Sequence, residues 1–222
     1  LTKPEYVALS KSLNEEANVK MLNPLSNDLK ILRQSLLFSG LESIGYNINR
    51  KNNALQFYEF GKTYHKYTDK YEEQKHLTLF ITGNRTKESW TIANKTSDFF
   101  YLKGIVQVVL QKLGFSNVKT TPVKNDVFSE GISLSLGKTR LVDLGVVKQK
   151  ILKEFGIKQV VFFADFNWTT ILSLSGSKNV KVSDLPKFPS VKRDLALLLD
   201  QKTEFREIYN LAFQAERKLL KD

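Results

Sequence analysis

The stretch YEFGKTYHKY, residues 58–67, gathers a glutamate, a histidine, two lysines and three tyrosines around Phe60 and Gly61. Imidazole is the side chain whose proton moves near neutrality, and a carboxylate in reach is its usual partner in acid–base catalysis. The rest of the chain offers that pair little support. There are two histidines, His65 and His76, and neither has a histidine or cysteine three or four residues on, the spacing of a helical metal pair. No metal site is expected. The absence of cysteine removes disulfides, thiolate metal centres and thiol nucleophiles from consideration. No G-x-S-x-G elbow, Walker A loop or G-x-G-x-x-G turn occurs, so hydrolytic triads and the ordinary nucleotide cradles are missing as well.

The elements that would hold residues 58–67 are readable from periodicity. LQFYEFGKTY (55–64) and HLTLFITG (76–83) read as adjacent antiparallel strands, with the charged segment TDKYEEQK as a long hairpin loop. Upstream, PEYVALSKSLNEE (4–16) reads as a short amphipathic helix with Pro4 in its first turn. Asn23-Pro24 marks a turn, and Ser26 or Asn27 would cap a long helix from about Asp28 to Arg50. Leu37, Leu41, Ile44 and Ile48 form one apolar stripe on it, and Leu29, Leu32 and Leu36 a second. Small residues at Ser39, Gly40, Ser43 and Gly45 would admit another backbone. Two apolar faces predict one face for the core and one for a partner, rather than a helix buried within its own domain.

Downstream, Ser97 and Asp98 open a helix with Phe99, Leu102, Val106, Val109 and Leu113 on one face and Gly114 at its end. GISLSLG (131–137), RLVDLGVV (140–147) and QVVFFADF (159–166) read as strands, the first two joined as a hairpin, with short helices at 148–155 and 167–173. The sum is an α+β fold, a mostly antiparallel sheet flanked by helices. The organisation changes at Leu185-Pro186. A strand over about Val191–Leu199 and a helix bearing Phe205, Ile208, Ala212, Ala215 and Leu219 follow. One strand and one helix cannot bury both their apolar faces, so residues 187–222 read as the opening of a second domain after one spanning 1–185.

The 222 residues are 41% hydrophobic, enough for a sizeable core, and no stretch is long and apolar enough for a membrane span. The chain begins at Leu1 and reads as a piece of a longer polypeptide; a reducing cytosol fits its composition. Its net charge of +11 is uneven: residues 1–100 carry 14 basic and 11 acidic side chains, residues 101–222 carry 20 and 12. That surplus points to a polyanionic partner or to a merely soluble basic surface.

Four blocks, in order, carry a resemblance. NPLSNDLKILRQSLLFSGL, NINRKNNALQFYEFGKTY, DFFYLKG and KFPSVKRDLALLLD together resemble the later part of the bacterial phenylalanyl-tRNA synthetase β chain. The resemblance implies a domain with the fold of a class II aminoacyl-tRNA synthetase core over residues 1 to about 185. It implies the start of a ferredoxin-like anticodon-binding domain, incomplete here, from about 187. It implies a role in phenylalanine–tRNA ligase, an ATP- and magnesium-using enzyme of two α and two β chains that charges tRNA(Phe) in the cytoplasm, with no cofactor held by this segment.

Against the second signature motif of active class II enzymes, F-E-I-G-x-x-F-R-x-E, residues Tyr58, Glu59, Phe60, Gly61 and Tyr64 match, but His65 falls at the arginine and Tyr67 at the second glutamate. That arginine clamps the α-phosphate of ATP, and an imidazole cannot replace its permanently charged fork. The glycine-rich third motif is absent. Pro24, Arg33, Leu36, Leu37, Leu41, Ile44 and Ile48 resemble the first motif, which implies a subunit interface with the α chain. Lys187, Lys192 and Arg193 are candidates for tRNA phosphate contacts, though a solvated strand edge would look the same. The expectation is a catalytically inert, synthetase-shaped domain. Two other readings remain: an active class II ligase using His65, and a synthetase-like regulatory paralogue.

Overall fold

The computed structural model describes residues 1–24, 26, 28–86, 89–91, 93–176 and 187–220. The strand pattern closes into one six-stranded antiparallel sheet. Its strands are β1 (Leu55–Lys66), β2 (Tyr71–Thr82), β3 (Lys119–Pro122), β4 (Phe128–Leu136), β5 (Thr139–Val147) and β6 (Val161–Asn167). Their order across the sheet is β1-β2-β6-β5-β4-β3, with every neighbour antiparallel. The segment expected as a long loop after β1 is mostly strand: Tyr71 already pairs with Lys66, and Tyr67 N–H closes the turn on Lys70 O at 2.8 Å. β3 carries no apolar alternation and was not foreseen.

Helices cover both faces of the sheet. On one face lies α2 (Phe99–Lys112), whose Leu102, Val106 and Leu110 pack with Leu77, Ile81, Phe162 and Phe166, joined by Ile171 of α4 (Trp168–Ser175). Asp98 rather than Ser97 caps α2, its carboxylate accepting the Tyr101 N–H at 2.7 Å. Gly114, at φ +80°, ends that helix in a conformation only glycine takes freely. On the other face lie α1 (Leu37–Ile48) and α3 (Gln149–Glu154), which bury Leu37, Leu41, Ile44, Ile151 and Leu152 against Phe80, Phe163 and Val161. Residues 4–16 form short 3-10 turns, Pro4–Leu9 and Glu15–Ala17, rather than one helix.

The long helix expected from Asp28 is corrected: it begins at Leu37. The segment before it is held open by tertiary partners. Ile31 bridges to both Thr2 and Lys20. Buried Gln34 donates to Asn14 O at 2.7 Å and to Asn18 Oδ1 at 2.6 Å. Those contacts outweigh local helical spacing, which is a weak determinant on its own. The candidate cap Asn27 lies outside the described residues; the helix instead starts where Ser35 Oγ accepts the Leu37 N–H.

By contacts the chain divides into a unit of residues 1–179 and a unit of residues 180–222. The boundary expected at 185–187 falls at the end of residues 177–186, which are outside the described set. In the second unit α5 (Phe205–Ala215) forms as its periodicity predicts. Residues 191–199, expected as a strand, make no ladder among the described residues and stay exposed. A strand without a neighbour has no one to pair with.

Candidate functional site: a sheet face closed by its own ion pairs

The sheet face that carries α1 is apolar beneath that helix and polar beyond it. Pairing puts Glu59 beside Thr78, Gly61 beside His76, and Thr78 beside Asp165, so these residues share that face. Glu59, Thr78, His76 and Asp165 each have a partner there. Arg33, from the open segment before α1, reaches over β1: its Nη1 lies 2.7 Å from Glu59 Oε1, and its Nε donates to Lys62 O at 3.1 Å. Backbone pairing fixes the approach, with Tyr64 N–H donating to Arg33 O at 2.9 Å. Gly61 is what admits this crossing, because a Cβ there would collide with the Arg33 guanidinium and the Leu36 side chain.

A second network continues across the sheet. His76 lies 3.1 Å from Thr63 Oγ1 through Nε2 and 2.7 Å from Asp165 Oδ1 through Nδ1. Asp165 pairs in register with Asp143, and Asp143 accepts from Arg140 Nε at 2.6 Å, which also bonds Ser133 Oγ at 2.9 Å. A cleft of about 160 Å³ lies between His76, Arg140, Asp143 and Asp165. Burial pushes the Asp143 carboxyl above its ordinary value despite the Ser133 and Arg140 contacts that oppose it, and the Asp165 charge adds to the rise. Sequence reading passed over this network. Its signal was a lone acid in each of two apolar strands, RLVDLGVV and VVFFADF.

A carboxyl raised in the fold disfavours the native state wherever it ionises. The chain is therefore expected to lose stability as pH rises through the carboxylate range, from the unfolded Asp143 value upward. Asp143→Asn should flatten that part of the curve; thermal unfolding between about pH 4 and 7 with an unchanged slope would refute the assignment.

His65, expected at the motif's arginine position, is half-buried. Its Nδ1 has no hydrogen-bond partner among the described residues. Burial pushes its pKa below the ordinary histidine value, against the opposing pull of Glu72. At pH 7 it is a neutral ring, with Tyr67 roughly parallel at 6.4 Å between centroids. The structure thus brings Glu59, Gly61 and Arg33 together and leaves His65 and Tyr67 toward the hairpin tip.

Four of the residues expected at a subunit interface are taken up by this chain's own core. Leu36, Leu37, Leu41 and Ile44 are 0–1% exposed within this chain. Ile48 is half-buried, Arg33 lies on β1, and Pro24 is in an exposed loop. The space at Gly40 and Gly45 is taken by the Phe80 ring and the Phe155 carbonyl of the chain itself. The free face of α1 is Ser43, Tyr46 and Arg50, with the Arg50 guanidinium 3.3 Å over the Tyr46 ring. Beside it a groove of about 320 Å³ runs between α1 and β1, lined by Gly40, Ser43, Phe57 and Glu59. Lys187, Lys192 and Arg193 are all exposed.

A six-stranded antiparallel sheet with helices on both faces is the architecture of a class II aminoacyl-tRNA synthetase core. Pyrrolysyl-tRNA synthetase from Desulfitobacterium hafniense has this fold, with a TM-score of 0.53 at 15% identity over 71% of this chain and 53% of that one. The chain belongs to the phenylalanyl-tRNA synthetase beta chain family, whose CLM domain model matches residues 1–168. It is 40% identical over 234 residues to a phenylalanine–tRNA ligase beta subunit of Bacteroides thetaiotaomicron, and 37% identical over 233 residues to one of Porphyromonas gingivalis. All of this chain is covered in both cases, and the chain spans 28% of the length of those relatives.

Proposed function

We propose that this chain is the synthetase-shaped, non-catalytic part of the beta subunit of phenylalanine–tRNA ligase. In this reading it pairs with a catalytic alpha chain in an α2β2 enzyme of the cytoplasm and helps hold tRNA(Phe). Phenylalanine, ATP and magnesium are used on the alpha chain. The observation that carries the reading is the state of the motif-2 position. A neutral, half-buried His65 supplies no charge for a phosphate, and the neighbouring sheet face is spanned by the Arg33–Glu59 pair. The residues present do not fit a nucleotide, so catalysis is assigned elsewhere.

The α1 face of Ser43, Tyr46 and Arg50 is the part of the first-motif region open to the alpha chain. Residues 187–222 would begin a ferredoxin-like anticodon-binding domain, in which exposed Leu195, Leu198 and Phe205 would be buried by strands beyond residue 222. Lys187, Lys192 and Arg193 would then contact tRNA phosphates. No helix among the described residues is long and apolar enough to cross a membrane.

The test is twofold. Co-expressed phenylalanine–tRNA ligase alpha chain should co-purify with the full-length beta chain containing these residues. ATP–pyrophosphate exchange by the 222-residue chain alone should be absent, and His65→Arg should not create it. Exchange by the isolated chain, of either form, would return catalysis to this segment.

A further inference from the structure

The outer face of the β1–β2 hairpin, turned away from Arg33 and α1, has no part in the reading above. Exposure alternates cleanly along it. On β1, Tyr58, Phe60, Lys62 and Lys66 are exposed, whereas Glu59, Gly61 and His65 between them are half-buried and Thr63 is buried. On β2, Tyr71, Glu73 and Lys75 are exposed, and the register sets Lys75 opposite Lys62 and Tyr71 opposite Lys66. Three rings make a continuous aromatic surface. Tyr58 meets Phe60 edge-on at 6.3 Å, and Phe60 meets Trp168 edge-on at 5.1 Å. Tyr58 is 73% exposed, Phe60 58% and Tyr71 70%. Glu73 is the carboxylate on this face, 2.7 Å from Lys62. Among the described residues no carboxylate pairs with Lys66 or Lys75.

Exposed rings and unpaired ammonium groups on one strand face make different demands. A protein partner that covered the rings would also desolvate the lysines, and would have to supply carboxylates for them. An unpaired nucleic-acid strand meets both demands, since bases stack on rings while phosphates lie near cations. Paired bases have no free face to offer the rings, and strand-borne aromatics of this kind take unstacked RNA bases. Tyr58 and Phe60, alternate residues of β1, stand about 6.7 Å apart along the strand, which gives two successive bases a ring each. The net charge of +11 favours the encounter. We propose that the outer face of the β1–β2 hairpin is a binding platform for unpaired RNA nucleotides, with Tyr58 and Phe60 as the stacking surface and Lys66 and Lys75 as the phosphate contacts. This deepens the tRNA part of the proposed function by adding a second RNA surface, and it does not use Lys187, Lys192 or Arg193.

The test is fluorescence anisotropy of the 222-residue chain with a labelled oligouridylate of about a dozen nucleotides, which allows for the site sizes of such grooves. A self-complementary RNA duplex and polyglutamate serve as controls. The single strand should bind more tightly than either control, and its affinity should fall steeply between about 0.05 and 0.2 M salt. Tyr58→Ala with Phe60→Ala should weaken it about tenfold or more. Lys66→Gln with Lys75→Gln should lower the salt slope by about two phosphate contacts. Phe60→Leu separates stacking from apolar docking: it should lose much of the RNA affinity, while a protein-docking patch would tolerate it. Lys187→Gln with Lys192→Gln should leave the hairpin-dependent part of binding in place. Equal affinity for single strand and duplex, or unchanged RNA binding in the Tyr58, Phe60 variant, overturns the proposal. So does loss of alpha-chain co-purification in that variant with RNA affinity intact, which would make the surface a protein interface. Failure of alpha-chain assembly in the unsubstituted protein would count against the proposed function and leave this measurement standing.

Discussion

Leu41→Asp is expected to unfold residues 1–179, whether or not an alpha chain is present. Leu41 is 0% exposed and belongs to the core that α1 forms with Phe80, Phe163 and Ile151. A carboxylate there would sit fully buried among apolar side chains, and leaving it in place costs about 5 kcal/mol or more. That is comparable with the whole stability of an ordinary domain, roughly 5–15 kcal/mol. The expected observation is loss of the cooperative thermal transition in the isolated chain. Tyr46→Asp is the contrasting substitution. Tyr46 stands on the free face of α1 with Arg50 stacked on it, so the variant should fold normally and lose co-purification with the alpha chain. If Leu41→Asp folds and only assembly is lost, the buried stripe faces a partner after all. If Tyr46→Asp assembles as well as the unsubstituted chain, the α1 face is not the contact.

This pair of substitutions also marks where sequence reading stops. The stripe Leu37, Leu41, Ile44 was correctly seen as a helical face, and the hairpin of β1 and β2 follows from plain alternation. α2 was legible because its spacing is local, although the cap is Asp98, one residue after the Ser97 expected. The segment 28–36 was not, because what straightens it is far away in sequence. Ile31 pairs with Thr2, Gln34 bonds Asn14, and Arg33 crosses to Glu59. Leucines at 29, 32 and 36 imitate a helix that those contacts forbid. The same limit applied to residues 191–199, whose β pattern was clear but which pair with no strand among the described residues.

The candidate site shows a related division. A histidine at position 65 is visible in one dimension, and an imidazole offers a phosphate no permanently charged fork. What fills the face instead is visible only in three. The polar groups there pair with one another: Arg33 crosses to Glu59, His76 meets Asp165 on the neighbouring strand, and Arg140 meets Asp143 on its own strand. Polar groups that satisfy one another keep a surface rigid and take it out of competition for ligands. A catalytic face must do the opposite and hold unspent donors toward a substrate.

Arg33 is the member of that set with the clearest structural consequence. Arg33→Ala removes the Glu59 ion pair and the bond to Lys62 O, and it leaves the crossing over β1 with backbone pairing alone. Hydrogen bonds to a charged group contribute about 1.5–3 kcal/mol when buried. Here Arg33 is 22% and Glu59 36% exposed, so solvent screening reduces the expected loss to about 1–2 kcal/mol. For a unit of this size that lowers the melting temperature by about 4 °C. Gly61→Ala attacks the same crossing from below, because its new methyl meets the Arg33 guanidinium and the fully buried Leu36. Its expected cost is about 1–3 kcal/mol. The two substitutions should not add. With the guanidinium gone, the methyl has only Leu36 to displace, so Gly61→Ala should cost about 1 kcal/mol less in the Arg33→Ala background. Thermal or urea unfolding of the four proteins in that cycle measures the coupling. Strict additivity would mean that Arg33 does not lie over Gly61, and the face would then be open to a ligand.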